Sequence, residues 1–188
     1  MARPRSDDKR NAIMAAAIHV IASQGLGAAT ATIAKEAGVS NGSLFTYFET
    51  KADLLNHLYI ELKTEMGKAA LDGLPTENDI REQVFQMWCH WLDWATFFPN
   101  KRRTLAHLAV SDDITLESHQ TTQQKMAGIK KLLERSRENG PMCDVPLEFI
   151  VALMNALADA TIDFMIHDPV NADKHCLAGF EAMWRMLT

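Results

Sequence analysis

The chain has 188 residues, 47% of them apolar and 23% charged, with a formal net charge of −5. That is enough apolar material for a sizeable core, in one compact unit or two small ones. Six prolines and nine glycines are few; strand-like alternation persists nowhere, which excludes a sheet protein and points to an all-α fold.

The acidic balance is uneven. Residues 1–51 hold six Lys/Arg (Arg3, Arg5, Lys9, Arg10, Lys35 and Lys51) against four Asp/Glu, a net +2. The remaining thirteen basic and twenty acidic residues give 52–188 a net −7. Any part that approaches phosphates should be the first. Cys89, Cys143 and Cys176 are far apart, odd in number and without a CxxC pair, which fits a reducing compartment better than a disulfide scaffold. A thiol sensor would need a lowered pKa or an electropositive setting, and the sequence displays neither. No apolar signal core opens the chain and no run approaches a membrane span, so a soluble, cytoplasmic protein without a membrane partner is expected.

In chain order, Met1 to Ser6 reads as a short basic arm that Pro4 keeps out of helix. It is either a disordered end or an arm near a DNA backbone or minor groove. A helix follows from about Asp7 to Gln24, with Ile13, Ala17, Val20 and Ile21 as its buried stripe and Gly25 as its stop. Thr30 to Lys51 holds two short helical patterns joined by a tight turn. Ile33, Ala34 and Ala37 give the first a small apolar face. Gly38 stands where a C-cap needs positive φ, and Val39 plugs the angle. Ser40 caps the second helix. Leu44, Phe45 and Phe48 are expected inside; Asn41, Ser43, Thr46 and Tyr47 point away. Helix, glycine turn and polar-faced second helix form the helix-turn-helix arrangement for a DNA major groove.

The stretch IAKEAGVSNGSLFTYFETKADLL resembles the signature of the TetR/AcrR family of bacterial repressors. The matching residues are Ile33-Ala34, Ala37-Gly38-Val39-Ser40, Gly42, Phe45, Phe48, Lys51 and Leu54. The match covers about the first third of the chain; beyond it, only length and helical pattern agree. Two positions depart from the family pattern. Phe45 stands where Tyr is usual and lacks its phosphate-reaching hydroxyl. Ala29 stands where the first helix usually has a capping Thr, so either Thr30 caps one residue late or the cap is missing. The resemblance implies that Lys51 contacts a phosphate; without it, Lys51 is an ordinary exposed lysine.

Beyond the motif, a long helix from Lys51 to about Ala70 buries Leu54, Leu55, Leu58, Tyr59 and Leu62 and joins the reading head to the body. Gly73-Leu74-Pro75-Thr76 is a break. A helix from about Asn78 to Phe98 places Ile80, Val84, Met87, Trp88, Trp91, Ala95 and Phe98 on a 3.6-residue period, widened by Trp94 and Phe97. Each aromatic alone reads as core; together, rings and adaptable Met suit the wall of an apolar ligand site. Met87, Trp88, Trp91, Trp94 and His107 are the ligand-binding candidates. Pro99 stops that helix, and a short one and a polar loop near Ser111 to Asp113 follow. One long helix is expected from about Leu116 to Glu138, with Met126, Ile129, Leu132 and Leu133 inward. Asn139-Gly140-Pro141 ends it. The last two helices, about Pro146–His167 and Asp173–Leu187, carry more apolar surface than one domain can cover. Leu153, Leu157, Phe164, Phe180 and Trp184 are therefore assigned to a four-helix homodimer interface, which the family resemblance also implies.

The chemistry of an enzyme is missing: there is no HExxH, no phosphate-cradling glycine loop and no GxSxG. The seven histidines show no metal-ligand spacing, so no catalytic residue, metal or cofactor is expected. The expected organisation is a helix-turn-helix domain over 1–52 and an effector-binding and dimerisation domain over 53–188. The expected partners are a near-palindromic double-stranded operator, contacted through Thr30, Ser40, Asn41, Gly42, Ser43, Thr46, Tyr47 and Lys51, and a small, largely apolar effector. Repression, released by that effector, comes from the resemblance alone. The competing reading is a helical small-molecule carrier or protein-partner adaptor with a vestigial DNA-binding head.

Overall fold

The structure is a computed structural model that describes residues 4–75 and 79–188, with side chains from Asp7 onward. The described residues form ten α-helices and one 3-10 turn, and no strand. The helices are α1 (Pro4–Gln24), α2 (Thr30–Glu36), α3 (Asn41–Tyr47), α4 (Lys51–Leu71), α5 (Ile80–Phe97), α6 (Pro99–Ala109), α7 (Leu116–Lys125), α8 (Ala127–Arg137), α9 (Leu147–His167) and α10 (Ala172–Leu187), with the 3-10 turn at Pro169–Asn171. They divide into two compact units. The first comprises residues 1–64 and 98–123, the second 65–97 and 124–188.

In the first unit, α1 packs on α2 and α6. Ile13, Ala17, Val20 and Ile21 are all at most 3% exposed, so the stripe read from spacing is the one buried. The Thr104 hydroxyl of α6 donates to the Ile18 carbonyl of α1 at 2.9 Å. Pro4 does not exclude helix; it begins α1. At the first helical position its missing N–H would be unpaired anyway and its fixed φ already suits the helix. Thus Pro4, Arg5 and Ser6 belong to α1, and Met1 to Arg3 of the proposed arm lie outside the described residues.

In the second unit, α5 packs on α8, α9 and α10, and α9 packs on α10. Val84, Met87, Trp88, Leu92, Ile150, Phe180, Met183 and Leu187 are at most 1% exposed and form its centre. Phe97 and Phe98, expected with the buried aromatics, are 77% and 45% exposed at the end of α5. The expected start of α5 at Asn78 lies outside the described residues; the helix is present from Ile80.

The single long helix expected over 116–138 is two. The break falls at Met126, with φ −92° and ψ 8°. There the Met126 sulfur lies 2.5 Å from where a Cβ on Gly67 would stand, and a Leu71 methyl lies 2.8 Å from the Cβ position of Gly128. Close packing between the end of α4 and the start of α8 uses both glycines, and the interruption sits at that contact.

α9 is long and apolar enough to cross a membrane by length and composition, at a mean hydropathy of 1.7, so the expectation that no run reaches that length is corrected. Here it packs on α5 and α10 within the second unit. Ile150, Met154, Ala158 and Ile162 are buried against its neighbours.

Candidate nucleic-acid interface

Three devices built from local sequence hold α3 in place. Gly38 takes φ +68°, a left-handed value that side-chain-bearing residues resist, and reverses the chain after α2. The Val39 N–H returns to the Ala34 carbonyl at 2.9 Å, closing the turn. The Ser40 hydroxyl accepts from the Ser43 N–H at 3.1 Å, which caps α3. Inward, Leu44 and Phe48 are fully buried, one turn apart. The Phe48 ring meets the His57 ring edge-on at 5.6 Å and lies under the Arg10 guanidinium at 5.4 Å. Arg10 also pairs with Glu61 at 3.6 Å, so α1, α3 and α4 are tied at one point.

α2 lacks such a device at its start. Ala29 is its N-cap residue, without a side-chain bond, and Thr30 is the first helical residue. The late cap at Thr30 is therefore not formed, and the missing-cap reading holds. α4 has what the sequence reading overlooked: the Thr50 hydroxyl accepts from the Asp53 N–H and the Asp53 carboxylate from the Glu49 N–H, both at 3.0 Å. The pair is a variant of the capping box, with an acid three residues after a Thr that reaches one residue further back, to the N–H before the cap.

Of the predicted DNA contacts, Ser40, Asn41, Gly42 and Thr46 are exposed, while Thr30, Ser43, Tyr47 and Lys51 are half-buried. Ser40 to Tyr47 share one short helix and its cap. Nothing of the chain itself lies within 4 Å of a Cβ built on Gly42, so its backbone is open to an approaching surface. The Thr46 hydroxyl donates back to the Gly42 carbonyl at 3.2 Å and keeps its lone pairs outward. Lys51 is not simply free at the helix start. Its Nζ donates to the Leu26 carbonyl, which leaves two ammonium protons for an anion.

Phe45 corrects the sequence reading. It is 40% exposed rather than packed inside. One helical position is 100° around from Leu44, and the Leu44–Phe48 pair already fills the inward face. The outward face of α3 thus carries an aromatic ring among polar groups, suited to apolar contact with a thymine methyl in a major groove.

Residues 13–58 match the family model of bacterial regulatory proteins, tetR family. A protein from Shewanella sp. PV-4, described as a tetR family transcription regulator, is 27% identical over 94% of this chain and 96% of its own, with a TM-score of 0.83. Over residues 13–58 the chain carries the DNA-binding stretch of the tetR family. A TetR family transcription regulator from Marinobacter aquaeolei VT8 shares the fold, with a TM-score of 0.85 at 23% identity over 98% of both chains. So does the TetR-like regulator LfrR from Mycobacterium smegmatis, solved with proflavine, with a TM-score of 0.68 at 20% identity over 94% of this chain and 95% of that one. With that stretch and this fold it is a DNA-binding regulator, with α3 in the place of the reading helix.

The ligand-binding candidates are less concentrated. Met87, Trp88, Trp91 and Trp94 lie on α5 in the second unit, whereas His107 lies on α6 in the first. The Trp88 indole N–H donates to the Cys176 carbonyl at 3.1 Å and the Trp94 indole N–H to Glu65 at 3.0 Å. Both polar handles are engaged within the chain. Trp91 is half-buried and meets Trp88 edge-on at 5.8 Å. His90, also on α5, has a buried Nδ1 without a hydrogen-bond partner. Among the described residues no group of three or more His, Cys, Asp or Glu could hold a metal ion.

Of the predicted dimer residues, Phe164 is 64% exposed, and Leu153, Leu157 and Trp184 are half-buried. Phe180 is fully buried within one chain, edge-on to Phe85 at 4.8 Å and stacked on Trp184 at 5.9 Å. It packs α10 onto α5 and presents nothing to a partner. Spacing along α10 could not separate its inward from its outward aromatic. On α9 and α10 the large apolar residues left outside are Phe149, Val151, Phe164, Ile166 and Leu177.

Proposed function

We propose that the protein is a homodimeric, ligand-released transcriptional repressor. Two copies of α3 enter successive major grooves about 34–36 Å apart on a near-palindromic operator. The carrying observation is the outward face of α3: Asn41, Gly42 and Thr46 are exposed around Phe45 on a helix that is capped and anchored from within. Asn41, Ser43, Thr46 and Tyr47 read bases or phosphates, and Thr30, Lys51 and the basic start of the chain hold the backbone. The net +2 of residues 1–51 supports that division of labour. A carrier with a vestigial head would have no use for a polar face so presented.

The dimer is supported by α9. Phe149, Ala152, Ala156, Ala160 and Phe164 recur at three- and four-residue steps and are all exposed. Such a stripe, with small residues between two aromatics, suits close packing against a second copy. A small, largely apolar effector meets the aromatic side of α5, where the unpaired His90 Nδ1 supplies one polar contact. A coupling of roughly 1–3 kcal/mol between effector and operator suffices to relieve repression. These roles assign residues 1–52 to DNA binding and 53–188 to effector binding and dimerisation, and place the protein in the cytoplasm with no catalytic role.

The test is binding to the DNA immediately upstream of the protein's own gene, at two salt concentrations. Tight binding that weakens steeply with salt and exceeds binding to a scrambled duplex is expected. Equal affinity for both duplexes would return the carrier reading to first place.

A further inference from the structure

Cys89 and Cys176 are 87 positions apart in sequence, yet their sulfurs are 3.6 Å apart. Cys89 is half-buried on α5; Cys176 is buried on α10. The contact is held from both sides. The Trp88 indole N–H fixes the Cys176 carbonyl, and Phe85 and Phe180 lock α5 to α10 one turn further along. A disulfide needs the sulfurs about 2.05 Å apart, so closure requires a movement of about 1.5 Å, within reach of side-chain rotation and a small helix shift. Cys143, by contrast, is exposed, in the turn before α9.

We propose that Cys89 and Cys176 are a hydroperoxide-oxidised thiol pair that closes reversibly into an intramolecular disulfide and gives redox control over the packing of α10 on α5. The contact with the Cys89 sulfur holds Cys176 below the usual thiol range. The same contact, burial, and the charges of Asp93 and Glu82 push Cys89 above it. Either sulfur can donate in this 3.6 Å contact; in the proposed sequence Cys176 attacks first and Cys89 resolves it.

In the first step the Cys176 thiolate attacks a peroxide oxygen and the O–O bond breaks. Hydroxide leaves and takes up the released proton as water, and a sulfenic acid remains. In the second, the Cys89 sulfur attacks that sulfur. The S–O bond breaks, the S–S bond forms, and the departing hydroxide takes the Cys89 proton as a second water. Two thiols give two electrons and two protons to one hydrogen peroxide.

The experiment uses the full chain with Cys143→Ser, reduced, freed of reductant and treated with hydrogen peroxide. Peptide mapping without reduction should find Cys89 linked to Cys176, and dithiothreitol should reverse it. Amide exchange in the α10 peptides should slow about tenfold in the oxidised protein. Emission from Trp88, bonded to the Cys176 carbonyl, should shift with the same time course. Cys89→Ser, a change at a half-buried site that spares the buried Cys176, should abolish all three effects. Two results overturn the proposal: both thiols remain free or pass to sulfinic acid without a link, or the link forms and α10 exchange is unchanged. None of these readouts involves DNA, so the proposal stands or falls separately from operator binding.

Discussion

α3 and α9 both carry a face that their own chain leaves uncovered, and the two faces differ in chemistry. The outward side of α3 presents an amide, hydroxyls and open glycine backbone around one ring. The outward side of α9 presents Phe149, Val151, Phe164 and Ile166 with alanines between them. A polar face on a short helix remains solvated until a hydrogen-bonding partner arrives. An apolar face on a 21-residue helix gains from removal from water at roughly 25 cal/mol per Å². The first arrangement fits reversible reading of a polyanion, the second lasting association with a copy of itself.

The sharpest way to break this contrast is to make the second face behave like the first. Ala156→Glu places a carboxylate in the middle of the α9 stripe, and two-fold symmetry places it there twice. Desolvating an unpaired ion costs several kcal/mol. A monomer at micromolar concentration is expected by sedimentation equilibrium, together with a loss of most operator affinity. If the variant sediments as the wild type does, the stripe is not where the copies meet.

A smaller effect separates the two aromatics of α3. Phe48→Ala should remove about 3–5 kcal/mol of stability in urea unfolding, as deletion of a fully buried ring does. Phe45→Ala should leave stability within about 0.5 kcal/mol, the usual range for a surface change, and weaken operator binding instead. Equal destabilisation by both would restore the buried placement expected from sequence.

That pair also shows how far the sequence is legible. The i, i+4 relation of Leu44 and Phe48 and the Gly38 turn are local, and local periodicity carries them. Whether Phe45 joins the core depends on what lies across from it, which no spacing within seven residues contains. The same holds for Phe180, whose burial is decided by Phe85 nearly a hundred positions away. It also holds for the break at Met126, decided by Gly67, and for the meeting of Cys89 and Cys176. The fold class and reading helix follow from short-range pattern; the body's inner and outer faces follow from long-range packing.

Next in size are the groups that would touch bases. Thr46→Ala and Tyr47→Ala should each cost about 1–3 kcal/mol of operator affinity, with relaxed preference at one base step. Folding should be nearly unaffected by the Thr46 change, since its hydroxyl bonds only the Gly42 carbonyl within its own helix. Titration of wild-type and mutated operators with each variant checks both statements. Uniform weakening across sequences would move the residue from base reading to phosphate contact.

The smallest effect tests the two halves of the motif against each other. α3 begins with a serine that caps it, α2 with an alanine that does not. Ala29 already has the extended backbone of a capping residue, with φ −73° and ψ 141°. Ser40→Ala should therefore cost about 1 kcal/mol and Ala29→Ser should return a similar amount. The double variant should lie near the wild type, because each cap satisfies donors only at its own helix start. Thermal unfolding of the four proteins measures both effects and their sum. A gain at Ala29 with no loss at Ser40 would mean that another group, or water, replaces the cap on α3, and that α3 is held mainly by Leu44 and Phe48.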